Sequence, residues 1–117
     1  MSNDKLRQAL RGISGVHVTA WQADGEADWV LTGRLVRGIA EAGIHNIVSA
    51  GNTGEFYPMT TEEVQRCHAV AAEAVAGKAL VTAGIGRSLR EAVATGRLAQ
   101  QAGCDAGMVH HPLDPFA

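Results

Sequence analysis

The residues equipped for chemistry gather in one stretch. Residues 46–60 read NIVSAGNTGEFYPMT, in which Gly51, Asn52, Thr53 and Gly54 follow the short run Ile47-Val48-Ser49-Ala50. Two glycines allow positive φ and a close approach of backbone to a ligand. The N–H groups of such a turn, joined by the Thr53 hydroxyl, can donate to a small anion such as a carboxylate. The same spacing also fits a plain tight turn in which Thr53 satisfies neighbouring backbone groups. Glu55 is either an acid or base, or an acceptor for an N–H or an arginine.

The other reactive side chains are less well placed. Lys5 and Lys78 are the only lysines. A nucleophilic amine needs a desolvated or cationic setting, and neither position provides one. Lys5 lies in the polar N-terminal segment, and Lys78 falls between a helix end and a strand start. No catalytic residue is therefore assigned. Tyr57 reads as loop or interface packing. His110 and His111 are neighbours on a strand, so they point to opposite faces and do not chelate as a pair; they read as packing and hydrogen-bonding residues, or one of them as facing the substrate. With no Asp, Glu or His cluster at ligand spacing, no metal is expected. Gly84-Ile85-Gly86 lacks the third glycine of a dinucleotide fingerprint and is read as shaping a loop; no cofactor is expected. Cys67 and Cys104 have no metal-ligand spacing and read as free thiols.

These residues must be held by alternating strands and helices. Residues 15–20 form a strand, with Val16 and Val18 on one face and His17 and Thr19 on the other. A short helix is expected over 5–11 before it. Asp28 caps a helix over 29–42, with Val30, Leu35, Val36, Ile39 and Ala40 at helical spacing and Gly43 at its end. Strand 47–50 leads through the glycine turn to Thr60, which forms a capping box with Glu63. The helix over 61–76 turns Val64, Cys67, Ala71, Ala74 and Val75 inward. Residues 79–83 are a third strand. Ser88 and Glu91 cap the next helix, with Val93, Leu98 and Ala99 inward and Gly103 closing it. Residues 106–110 are a fourth strand. Ala-Gly pairs at 42–43, 76–77 and 102–103 each join a helix end to the next strand, a repeat of roughly thirty residues that successive βαβ units require. The fold class is α/β with parallel strands.

Gly51-Asn52-Thr53-Gly54-Glu55, followed by Met59-Thr60 and Glu62-Glu63, resembles the dihydrodipicolinate synthase/N-acetylneuraminate lyase family. Val18-Thr19-Ala20-Trp21 with Asp24-Gly25 and Asp28, Ala83-Gly84-Ile85-Gly86, and Ala102-Gly103-Cys104-Asp105-Ala106 with Pro112 fit the same family in order. The resemblance implies the N-terminal half of a TIM (β/α)8 barrel, residues 1–117 being a partial lyase domain that stops after the fourth strand. A whole barrel takes about 250 residues. It further implies Schiff-base chemistry of the class I aldolase type on pyruvate or another 2-oxo acid. A lysine on a later strand forms the imine and a fifth-strand tyrosine relays protons. Gly51, Asn52, Thr53 and Gly54 then bind the substrate carboxylate, and this chain alone is expected to be inactive. Asn52 stands where many members carry a second Thr or Ser, and Leu113-Asp114-Pro115-Phe116 where many carry a tyrosine pair. Both departures point away from the lysine-pathway synthase and toward aldolase, hydratase or dehydratase chemistry. Members are commonly homo-oligomers. The alternative is a non-catalytic half-barrel that binds or assembles through exposed edges.

Composition fits a single domain. Ten basic residues against twelve acidic ones give a net charge of −2, which offers no basic face for nucleic acid. The N-terminus lacks an apolar signal core, and no apolar run nears the ~20 residues of a membrane span. The expected location is the cytoplasm.

Overall fold

The computed structural model describes residues 2–112, so Leu113-Asp114-Pro115-Phe116 lies outside the described residues. Four helices and four strands alternate: α1 (Asn3–Arg11), β1 (Ser14–Val16), α2 (Trp29–Glu41), β2 (Asn46–Ser49), α3 (Thr61–Val75), β3 (Leu80–Ile85), α4 (Leu89–Ala102) and β4 (Ala106–Val109). The strands are all parallel, in the order β1-β2-β3-β4. Sequential order without a reversal, combined with right-handed crossovers, puts α2, α3 and α4 on one face of the sheet. A doubly wound sheet would reverse its order and place helices on both faces. This is the winding of a barrel, and the described residues form the N-terminal half of one.

Register assigns each strand residue to a face. Gly15, Ile47 and Val81 are aligned, as are Ser49, Ala83 and Gly107; these residues face the helix layer. Ile47, Val81 and Ala83 pack there with Val36, Ala40, Ala71, Val75 and Ala99. Deleting a fully buried side chain such as Ile47 costs about 2–5 kcal/mol. Val16, Val48, Thr82 and Ala106 share the opposite, concave face. A polar ladder crosses it: Asn46 donates to Ser14 Oγ at 3.0 Å, and Thr82 donates to Asn46 Oδ1 at 2.7 Å.

The capping residues act as expected. Asp28 accepts from Leu31 N–H, and Thr60 with Glu63 and Ser88 with Glu91 form complete capping boxes. Two expectations about elements are corrected. The first strand is shorter than 15–20, because after Val16 the chain leaves the ladder and folds over to a single bridge between Trp21 and Ala27. The face assignment there holds: His17 and Thr19 are buried, whereas Val16 and Val18 are exposed. The inward stripes of α2 and α4 also differ. Val30, Leu35, Val93 and Leu98 are exposed, and the buried positions are Thr32, Val36 and Ala40 on α2 and Thr95 and Ala99 on α4. Small and β-branched residues let these helices lie close to α3 and the sheet, so the stripe follows packing and not hydrophobicity alone. β1 and β4 are the outer strands among the described residues. No helix among them is long and apolar enough to cross a membrane.

Candidate active site

The glycine turn emerges from the C-terminal end of β2, the end at which α/β barrels build their sites. Its conformation differs from expectation. Neither Gly51 nor Gly54 has positive φ; Ala50 (50°) and Glu55 (69°), the residues just outside the turn, do. Both glycines are there for space. A Cβ on Gly51 would lie 2.8 Å from Val16 Cγ1, and one on Gly54 would lie 3.2 Å from the His17 carbonyl oxygen. The turn is pressed against β1, and a side chain at either position would have to push a neighbour aside.

Neighbouring elements capture the carbonyls of this turn. Thr19, just after β1, donates its hydroxyl to Gly54 O at 2.9 Å, and His110, just after β4, is 2.8 Å from Ala50 O through Nε2. Asn52 O accepts the Glu55 N–H at 3.0 Å. In contrast, the N–H groups of Gly51, Asn52, Thr53 and Gly54 have no acceptor among the described residues. Asn52 and Thr53 are exposed. The exposed N–H groups of Asn52 and Thr53 and the Thr53 hydroxyl, flanked by the buried Gly51 and Gly54, are the donors this turn can offer a ligand, which is the chemistry of an anion cradle.

The following residues lock the loop. Arg87, itself at a φ of 67°, donates to Thr61 Oγ1, Phe56 O and Met59 O and lies over the Phe56 ring. Phe56 stacks on His110 with ring centres 4.0 Å apart, and Tyr57 packs edge-on to both. The Tyr57 hydroxyl donates to His111 O at 2.6 Å, so the tyrosine is indeed a packing residue of the loop. Glu55 accepts the Trp21 indole N–H at 2.6 Å, making it an N–H acceptor. His110 is buried and His111 exposed, and they do not converge. Among the described residues no group of three metal-ligating side chains is found.

Behind the turn, between the sheet and α3, lies a buried network that the sequence reading missed. His68 Nε2 is 2.9 Å from Gly84 O, and its Nδ1 is 2.9 Å from Ser49 Oγ. A carbonyl only accepts, so Nε2 carries the proton and Nδ1 accepts from Ser49. His17 Nδ1 likewise donates to Val18 O, which leaves its Nε2 to accept the Cys67 thiol at 3.8 Å. This tautomer assignment follows from the bonding partners. Burial drives His68 down to about 4 and lowers His17 as well, so both rings are neutral near pH 7. Burial raises the Cys67 thiol; burial and then the Asp105 charge push Cys104 up to about 12. Both thiols are buried, free and protonated, which excludes them as nucleophiles at neutral pH. His68 could have been found in the sequence as the one polar residue within the inward stripe of α3.

Both lysines lie far from this turn in the fold. Lys78 sits at the N-terminal end of the sheet, 3.8 Å from Glu41, with both side chains more than half exposed. Together with Lys5 on α1 it lines a cavity of about 620 Å³ formed by helix C-termini and strand starts, at the end opposite the turn.

The profile of the Dihydrodipicolinate synthetase family matches residues 9–114. A probable 5-dehydro-4-deoxyglucarate dehydratase from Streptomyces avermitilis is 38% identical over 95 residues, covering 81% of this chain and 30% of that protein. A 4-hydroxy-tetrahydrodipicolinate synthase from Synechococcus is 36% identical, covering 81% and 32%. The crystal structure of dihydrodipicolinate synthase from Bacillus clausii superposes with a TM-score of 0.91 at 41% identity, covering 96% of this chain and 38% of that one. A prophage protein of the same family from E. coli K12, solved in complex with pyruvate, superposes at 0.78 with 31% identity over 84% of this chain and 33% of its own. This chain spans about a third of the length of the relatives it matches. A profile match over nearly all of it, and a superposition covering 96% of it at 41% identity, establish that the chain belongs to the dihydrodipicolinate synthetase family.

Proposed function

We propose that these residues are the N-terminal half of the barrel of a Schiff-base-forming lyase of the class I aldolase type, acting on pyruvate or another 2-oxo acid, with the turn at residues 51–54 as its carboxylate cradle. The observation that carries this reading is the set of four unengaged N–H groups at Gly51, Asn52, Thr53 and Gly54, at the strand end where barrels bind substrate. The pyruvate complex of a relative supports the choice of ligand. A carboxylate gripped by several fixed donors holds the adjacent carbonyl in one orientation for attack by an amine. Dehydratase chemistry is favoured over the synthase, because Asn52 has no hydroxyl to join a proton relay. In this reading the protein is cytoplasmic and a homo-oligomer. It uses no cofactor beyond its own lysine, which this chain does not supply.

The test has two arms. In a full-length barrel carrying these residues, Thr53→Val should weaken pyruvate binding by about tenfold or more, the loss of one hydrogen bond to a charged group; unchanged affinity would remove Thr53 from the site. Residues 1–117 alone, incubated with pyruvate and borohydride, should gain no reduced adduct by intact mass. Lys78 is paired and solvated at the wrong end, and arginine stays protonated. A stoichiometric adduct mapped to Lys78 would overturn this assignment of roles.

A further inference from the structure

We propose that His110 is a positioning residue of the turn: its imidazole N–H holds the Ala50 carbonyl and so aims the N–H groups of Gly51 to Gly54 at the ligand. This rests on the carboxylate reading of the turn. Ala50 is a non-glycine residue at a φ of 50°, a conformation that an L side chain takes only when its surroundings hold it. What holds it is a side chain from two strands away. His110 Nε2 lies 2.8 Å from Ala50 O, and since a carbonyl only accepts, this nitrogen is the donor.

The ring has no freedom to do otherwise. It is buried, stacked on Phe56 at 4.0 Å and 14°, and flanked edge-on by Tyr57. It crosses β3 directly over Gly84, where a Cβ would come within 2.7 Å of Nε2. β3 therefore carries a glycine where the imidazole spans from β4 to the end of β2. The consequence is directional. With Ala50 O held by His110 and Gly54 O by Thr19, both ends of the turn are pinned. The planar Ala50–Gly51 peptide then points the Gly51 N–H opposite to the captured Ala50 carbonyl, and the backbone between the two pins is held in one path. A carbonyl released into the mouth would repel a carboxylate instead of binding it.

Two variants in the full-length protein separate the hydrogen bond from the packing. His110→Phe keeps a flat ring against Phe56 and loses the donor. His110→Gln keeps an amide N–H at similar reach and loses the ring. Two readouts are taken: hydrogen exchange of the Glu55 amide, which closes the turn onto Asn52 O, and the dissociation constant for pyruvate. His110→Phe should speed exchange and weaken pyruvate binding, each by about tenfold, while His110→Gln stays near the parent in both. Unchanged exchange in His110→Phe, or equal losses in both variants, would overturn the positioning role. Faster exchange in His110→Phe with no pyruvate bound by the parent would uphold the latch and overturn the carboxylate reading.

Discussion

Replacing Gly84 with alanine should damage this protein more than any other single methyl group added to its sheet. The new Cβ would fall on the Ala50 carbonyl oxygen and 2.7 Å from His110 Nε2. Neither neighbour is a flexible side-chain end. One is backbone at the end of β2, and the other is a ring clamped between Phe56 and Tyr57. Overpacking of a tight site costs about 1–3 kcal/mol, and the displaced hydrogen bond between His110 and Ala50 adds about 1 kcal/mol. A loss of about 3 kcal/mol is expected in urea denaturation, with faster amide exchange along β3 and through the turn. Gly96→Ala is the control. That position lies within α4, and its Cβ would meet only Ile85 Cδ1 at an ordinary 3.7 Å, so helix propensity should stabilise it by up to about 1 kcal/mol. Equal stability of the Gly84→Ala variant and the parent would show that His110 does not sit where the geometry places it.

The contrast between those two glycines shows what the sequence reveals. Helix boundaries were legible because capping is local chemistry. Asp28, Thr60 with Glu63, and Ser88 with Glu91 need only their own next turn to act, and all three act as read. The parallel α/β class was legible because Ala-Gly pairs punctuate each helix end. The turn at 51–54 was legible as a place and not as a geometry. Its glycines suit positive φ, yet the residues that adopt it are Ala50 and Glu55, and the glycines answer to Val16 and His17, more than thirty residues earlier. His110 was legible as a packing and hydrogen-bonding residue, but its partners, Ala50, Phe56 and Gly84, were not. Long-range contacts such as these leave no periodic signature, so the groups that shape the site stay hidden even where its ligand-facing residues do not. The exposed Leu35 and Leu98 are the converse case: apolar residues at the right spacing, passed over because Thr32 and Thr95 fit the tight contacts better.

Acid should destabilise the fold in a specific pH window, and His68 sets it. An unfolded histidine titrates near 6.5, while the folded His68 titrates at about 4 because burial penalises its charged form. Between these values the unfolded chain binds more protons than the folded one, so stability rises with pH across the window and falls as acid is added. The interaction is therefore fully present above pH 6.5 and lost as pH drops toward 4. A shift of this size corresponds to a loss of about 3 kcal/mol. The surroundings oppose protonation for a structural reason. The neutral ring accepts from Ser49 at Nδ1, and a proton there would make the Ser49 hydroxyl turn its hydrogen away, toward Cys67 Sγ at 3.4 Å. His17 and His110, which face the same ring, add repulsion when charged. His17 is itself lowered by burial and contributes with the same sign. Urea denaturation between pH 7 and pH 4 should show the decline. His68→Gln separates this ring from the surface carboxylates, because glutamine can still donate to Gly84 O but does not titrate. Its stability should be lower at pH 7 and fall less steeply than the parent's between pH 6.5 and 4, keeping only the smaller decline due to His17. If parent and variant lose stability in parallel from pH 6.5 to 4, the acid sensitivity does not come from His68, and the neutral ring inferred from its two hydrogen bonds is wrong.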